Sequence, residues 1–255
     1  MENYASYPSL KNKNVFVSGG ASGIGAAIVA NFCDQGANVT FVDIDASAGE
    51  KFAAQLKQTY AQAPTFIACD LRDIASLRAA IAHTEKKFGA IRALVNNAAR
   101  DDRHSIESVT PEYWDERMAV NLRHQFFAAQ AVAPGMQSAG GGSIINMGSI
   151  SWMTRTGGMP AYTTAKAAVQ GLTRSLARDL GPHNIRVNTV VPGWVMTERQ
   201  LNMWVDDEGN QTMDREQCLK GRIQPDDLAR MVLFLAADDS RMCTAQDFIV
   251  DAGWA

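Results

Sequence analysis

Apolar positions along this chain gather in short unbroken runs. They are "NVFVSG" from Asn14, "NVTFVD" from Asn38, "TFIACD" from Thr65, "ALVNNA" from Ala93, "SIINMGS" from Ser143, "IRVNTVVPG" from Ile185 and "DFIVDAG" from Asp247. A strand wetted on one face carries a polar residue at every second position. Runs that lack this alternation suit parallel strands covered on both faces. Stretches of helical length lie between them. "GAAIVANFCDQG" ends at Gly36 and "LRAAIAHTEKKFG" at Gly89, and glycine stops a helix because it enters the left-handed region without strain. Seven strand candidates alternating with helices predict an α/β fold, a doubly wound parallel sheet with helices on both faces. No linker, repeat or low-complexity tract interrupts the 255 residues, so one domain over 1–255 is expected. Residues 194–221 break the alternation and carry two tryptophans; an insertion of this kind is expected to act as a substrate lid.

The first run leads into "SGGASGIG", residues 18–25. Glycines at 19, 23 and 25 permit a tight turn and a close backbone approach to a ligand. The helix that follows aims free amides and the positive end of its dipole at the turn, which makes a pyrophosphate site. A glycine turn alone is equally well a plain strand-to-helix connection. Asp43, at the end of the second run, changes the balance. A carboxylate there accepts hydrogen bonds from an adenosine ribose and repels a 2′-phosphate, so the expected cofactor is NAD rather than NADP.

Further along, "AYTTAKAAV" sets Tyr162 and Lys166 four residues apart, on one side of a helix. Such a pair in isolation is more often a tyrosine beside a snorkelling lysine than a piece of chemistry. The surrounding motifs decide. Gly19-x3-Gly23-x-Gly25, "NNAA" at 96–99, Asn121, Ser149, Tyr162, Lys166, Pro192-Gly193 and Thr197 stand in the order and separations of the short-chain dehydrogenase/reductase family. The chain resembles that family over about residues 14–253, with Ser18 where threonine is usual and Ala99 where glycine is. Segments such as "DDRH" at 101–104, "YWDERMAVNLRH" at 113–124, "GSISW" at 148–152, "QCLKGRI" at 217–223 and "DAGW" at 251–254 are similar to those of bacterial NAD-dependent sugar 1-dehydrogenases acting on D-xylose, L-arabinose or D-galactose.

The resemblance implies a Rossmann-type sheet of order 3-2-1-4-5-6-7 and a catalytic four of Asn121, Ser149, Tyr162 and Lys166. Tyr162 takes the hydroxyl proton while hydride leaves the substrate carbon. Free tyrosine, with a pKa of roughly 10, is a poor base near neutrality, and a nearby ammonium favours its phenolate. Lys166 supplies that charge and holds the nicotinamide ribose, Ser149 holds the substrate oxygen, and Asn121 holds a water that links Lys166 to solvent. Ser22 and Ile24 approach the phosphates and the nicotinamide ribose. Asp70 and Leu71 flank the adenine, Asn97 and Ala98 lie by the nicotinamide ribose, and Pro192, Gly193, Val195 and Thr197 form the nicotinamide loop. A sugar asks for hydrogen-bonders and an aromatic wall, and the candidates are Arg103, His104, Ser149, Ser151, Trp152, Met159, Tyr162, Trp194 and Trp204.

The expected reaction is oxidation of an aldopyranose at C1 to its lactone. A 2-keto-3-deoxy sugar acid or other polyol is the alternative, with Arg103 or Arg155 facing the carboxylate. Reduction of a 3-oxoacyl or steroid-like ketone, or a binding module that has lost catalysis, stand further off. Composition narrows the partners. A net charge of -3 gives no case for nucleic acid or an anionic membrane. "MENYASYPSL" lacks the features of a signal peptide, no run of eighteen apolar residues exists, and the four cysteines and four histidines are too dispersed to hold a metal. The chain is expected to be cytoplasmic with reduced, mostly buried thiols. The resemblance implies a homotetramer, with "DAGWA" reaching a neighbouring subunit.

Overall fold

The computed structural model describes residues 4–255. Seven parallel strands run β1 (Asn14–Ser18), β2 (Asn38–Asp43), β3 (Thr65–Ala68), β4 (Ala93–Asn96), β5 (Gly142–Met147), β6 (Ile185–Pro192) and β7 (Asp247–Val250). They form one sheet in the order β3-β2-β1-β4-β5-β6-β7, the order the family resemblance implies. All seven runs read from the sequence are strands.

The helices are α1 (Gly23–Asp34), α2 (Ala46–Thr59), α3 (Ile74–Phe88), α4 (Pro111–Met118), α5 (His124–Ser138), α6 (Pro160–Leu180), α7 (Glu198–Met203), α8 (Asp207–Glu216) and α9 (Pro225–Ala236). Their starts follow local chemistry. Asp45 caps α2, Asp73 caps α3 and Thr110 caps α4, each side chain accepting from an otherwise orphaned amide. Pro160 occupies the first turn of α6, where its missing N–H costs nothing.

The pleat divides the core in two. Val15, Val17, Val95 and Ile145 face one way, towards Phe32 of α1 and Val232 of α9. Phe16, Leu94 and Ile144 face the other way, towards Ile81 of α3 and Val132 of α5. Neighbouring strand positions thus enter opposite cores, which is why the runs carry no polar alternation. The break in pattern at residues 194–221 is real: it holds two short helices, α7 and α8, beyond the end of β6. The sheet leaves the C-terminal ends of β1, β2, β4, β5 and β6 opening on one side, the edge at which doubly wound folds bind their ligands.

Candidate active site

A cavity of about 1010 Å³ opens at that edge. One half is built from backbone. Gly19 has φ +66° and Gly23 φ +54°, conformations that side chains rarely adopt. A Cβ on Gly19 would lie 2.8 Å from the Ala98 Cα, and one on Gly25 would collide with the Gly19 carbonyl. Close packing, then, demands glycine at these positions. The turn is held from two sides. Asn97 Nδ2 donates to the carbonyls of Ser18 (3.1 Å) and Gly19 (2.9 Å), and Ser18 Oγ accepts from the amides of Asn97 and Ala98. Asp43 accepts from Ala21 N at 3.0 Å and from Asp45 N at 3.1 Å while it lines the cavity. The α1 amides start at this turn with no side chain of Ser22 capping them, so they are left for an anion. Glycines that a Cβ would block, an uncapped helix start and a carboxylate at the end of β2 fit a dinucleotide.

The second part of the cavity holds the acid–base groups. Tyr162 lies in the first turn of α6 and Lys166 in the next, with Lys166 Nζ 5.6 Å from the centre of the tyrosine ring. Lys166 is 1% exposed and donates to Met147 O at 2.8 Å. Burial lowers its amine to about 8, partly opposed by Asp101. Burial pushes the Tyr162 phenol well above its ordinary range and Asp101 adds to the rise; a hydrogen bond with Ser149 and the Arg103 charge act the other way. Ser149 begins a tight turn after β5, where its Oγ accepts from Ser151 N at 3.2 Å. Ser151 is 5% exposed and its hydroxyl has no partner among the described residues, although the residue lines the cavity. A buried hydroxyl without a partner is costly unless a ligand completes it.

The third part is a wall of side chains from distant segments. Arg103 lies over the Trp204 ring at 5.1 Å and donates to Met159 Sδ at 3.2 Å. Trp194 Nε1 donates to Gln200 Oε1 at 2.9 Å, and Gln200 Nε2 donates to Asp101 Oδ2 at 2.7 Å. Arg199 bridges Asp101 at 3.3 Å and Asp102 at 2.7 Å. Burial would raise the Asp102 carboxyl, but Arg100, Arg117 and Arg199 around it hold it below its usual range. These contacts tie the loop after β4 to α7.

Most residues singled out from sequence line this one cavity. They are Gly19, Ser22, Gly23, Ile24, Gly25, Asp43, Asp70, Leu71, Asn97, Ala98, Arg103, Ser149, Ser151, Met159, Tyr162, Lys166, Pro192, Gly193, Trp194, Val195 and Thr197. Asn121, His104, Trp152 and Trp204 do not, and each has a visible occupation or place. Asn121 is buried in a π-helical turn, Ala119–Arg123, between α4 and α5; its Oδ1 accepts from Arg100 N at 2.8 Å and its carbonyl accepts from Gln125 Nε2 at 3.3 Å. It anchors the loop that carries Asp101. His104 accepts from Ala161 N at 3.4 Å and faces the Tyr113 hydroxyl at 3.0 Å, so it joins that loop to the start of α6. Trp152 is half-buried beside the Ser149 turn and Trp204 packs under Arg103. Arg155 is exposed and also lies outside the cavity lining.

Sequence reasoning missed Asp101, Arg199, Gln200 and Trp254, all of which line the cavity. The C-terminal segment is held by its own chain. Asp251 accepts from the amides of Gly253, Trp254 and Ala255, and Leu219 N donates to the Ala252 carbonyl. These bonds turn "DAGWA" back over its own chain, with the Trp254 ring 6.3 Å from that of Trp194. The thiols also differ in part: Cys33 and Cys69 are buried, and burial raises them to about 12 and about 11, whereas Cys218 is exposed. No cluster of three or more metal-ligating side chains is found among the described residues, and none of the described helices is long and apolar enough to cross a membrane.

A family model described as Enoyl-(Acyl carrier protein) reductase matches residues 19–255. A probable galactose dehydrogenase of Rhizobium meliloti is 51% identical over 247 residues, covering 97% of this chain and 96% of that protein. A D-xylose 1-dehydrogenase of Caulobacter vibrioides is 49% identical over 250 residues, covering 98% of each. Among solved structures, a short-chain dehydrogenase/reductase of Serratia marcescens superposes with a TM-score of 0.88 at 33% identity, covering 96% of this chain and 99% of that one.

Proposed function

The chain belongs to the short-chain dehydrogenase/reductase family and is an oxidoreductase; from that premise we propose that it oxidises a neutral aldopyranose at C1 with NAD, giving the aldonolactone. The observation that carries this reading is the meeting, in one cavity, of a glycine-built anion site with a half-buried phenol hydrogen-bonded to Ser149. The galactose and D-xylose 1-dehydrogenases, about half identical over the whole chain, point to the sugar class.

Bound in the cavity, the nicotinamide supplies a hydride acceptor and a positive charge that favours the phenolate. The α1 amides, with Gly19, Ser22, Gly23, Ile24 and Gly25, would take the pyrophosphate. Asp43 would hold the adenosine ribose hydroxyls and turn away a 2′-phosphate. Asp70 and Leu71 would border the adenine, Asn97 and Ala98 the nicotinamide ribose, and Pro192, Gly193, Val195 and Thr197 the nicotinamide itself. Ser149 Oγ holds the C1 oxygen, and Tyr162 Oη takes its proton as the carbon gives up hydride. The Lys166 amine, lowered to about 8, is charged enough near neutrality to favour the phenolate. Its ammonium is also acidic enough to release and regain a proton. Ser151, with its unpaired hydroxyl, and Trp194 would border the sugar. Residues 194–221 would close over it.

Oxidation of a hemiacetal carbon to a lactone runs downhill, which suits an NAD-linked enzyme. A charged wall of Asp101, Arg103 and Arg199 is a poor seat for a long acyl chain or a steroid, because burying those charges against hydrocarbon leaves them unsatisfied. The reading includes a homotetramer in the cytoplasm; exposed Phe126 and Ile249 would serve as apolar contact surface, and sedimentation measures the assembly. A second reading, oxidation of a 2-keto-3-deoxy sugar acid, has Arg103 in its favour: it lines the cavity and makes no ion pair among the described residues.

Purified protein with NAD, NADP and a panel of aldoses tests the proposal. NADH absorbance should rise with a pentose or hexose, and the NADP rate should be far lower. Absence of turnover with every aldose, beside turnover of a keto-deoxy sugar acid, would replace the first reading by the second.

A further inference from the structure

We propose that Asp101 is a specificity-determining residue: its carboxylate accepts hydrogen bonds from ring hydroxyls of the sugar remote from C1. The proposal rests on the aldose reading above and names the chemistry by which that substrate is recognised.

Four observations support it. Asp101 lines the cavity that holds Ser149 and Tyr162. Its charge reaches both Tyr162 and Lys166, so it lies within electrostatic range of the reacting position and is not a remote rim residue. Its orientation is fixed: Gln200 Nε2 donates to Oδ2 at 2.7 Å, and Arg199 Nε donates to Oδ1 at 3.3 Å. Behind it, Asn121 holds the Arg100 amide, and the loop is tied again by Asp102 to Arg117 at 2.5 Å. A carboxylate offers about four lone-pair sites. Two are used by α7, and the side chain remains 19% exposed, towards the cavity.

A preorganised acceptor with unused capacity suits hydroxyl groups, which can donate. It does not suit a carbonyl, an ether or a carboxylate, which cannot. Arg103, on the same loop and lining the same cavity, offers donors and no acceptor. A polyol uses both kinds of partner at once. An acyl chain uses neither and leaves both desolvated. The residue that would normally be suspected here, His104, is already engaged with Ala161 and Tyr113.

The test pairs one hydroxyl with one side chain. Wild type and Asp101→Asn are assayed with NAD, the best neutral aldose, and each of its monodeoxy analogues. The expected result is that wild type loses about ten- to a hundredfold in kcat/KM with at least one analogue, the worth of a hydrogen bond to a charged group, mainly through KM. Asp101→Asn should be poorer with the parent sugar and nearly indifferent to the loss of that hydroxyl. Arg199→Gln, which removes the ion pair but keeps the acceptor, should retain the discrimination. Thermal melting accompanies each variant, and Asp101→Ser replaces Asp101→Asn should the latter not fold. Equal losses for parent and analogue in Asp101→Asn, with discrimination intact, would overturn the proposal and leave the aldose reading standing. Collapse of discrimination in Arg199→Gln would overturn it too, because the ion pair would then be the cause. A wild-type enzyme inactive on every aldose would bring down both.

Discussion

The two ends of the cavity are made of different materials. The β1–β2 end is built largely of backbone, the turn at 19–25 and the start of α1, with the carboxylates Asp43 and Asp70 beside it, the first of which also holds the turn by Ala21 N. The β4–β6 end is lined by side chains: Asp101 and Arg103 from one loop, Trp194, Arg199 and Gln200 from another, and Trp254 from a third. The first end has almost no freedom to vary, since a Cβ at Gly19 or Gly25 strikes main-chain atoms. The second can change by substitution with little disturbance to the sheet. A fold that must keep one cofactor and exchange substrates benefits from that division.

The sharpest way to break the comparison is at the group both ends share. Tyr162→Phe should lower kcat by at least about 10²–10⁴-fold while NADH still binds, measured by fluorescence titration. Next, Gly25→Ala should damage the cofactor end: the added methyl meets the Gly19 carbonyl and Asn97 Nδ2, which costs about 1–3 kcal/mol of stability as overpacking and weakens NADH binding about tenfold or more. Melting and titration together report both. Trp254→Ala should act at the other end alone. Removing one ring of the Trp194–Trp254 pair raises the sugar KM about two- to tenfold and leaves the NADH affinity as it was. A change in NADH affinity as large as that in KM would erase the distinction between the ends.

The smallest effect is on pH dependence. In the proposed mechanism Tyr162 acts deprotonated, so the oxidation rate should climb with pH. After burial, the Asp101 charge is the next cause holding the phenol high. Taking that charge away in Asp101→Asn favours the phenolate, and the rising limb of the kcat profile should move to lower pH. Movement to higher pH, or none, would mean that Asp101 does not face the phenol.

The same contrast explains what could be read in advance. Strands were legible because two-sided burial writes itself as unbroken runs such as Val15–Val17 and Ile144–Ile145. The cofactor end was legible because glycine spacing records backbone geometry locally. Ser149, Tyr162 and Lys166 became readable through the family resemblance, the last two aided by their helical spacing. Asp101 lies inside "DDRH" at 101–104, where a carboxylate beside arginine carries no local mark of a ligand contact; only the fold brings Gln200, 99 residues away in sequence, to hold it at the cavity wall. The place of Trp254 in the cavity wall was hidden for a related reason. Nothing local says that Asp251 will gather three following amides and fold the segment inwards. His104 carried the chemistry of a ligand contact, but its nitrogens serve the loop.

The most direct test of the central claim follows one atom. An aldopyranose deuterated at C1 is incubated with the enzyme and NAD, and the reduced cofactor is weighed by mass spectrometry. The account predicts NADH carrying one deuterium, with the sugar recovered as lactone. Unlabelled NADH, or label retained in the sugar while the cofactor is reduced, would contradict it.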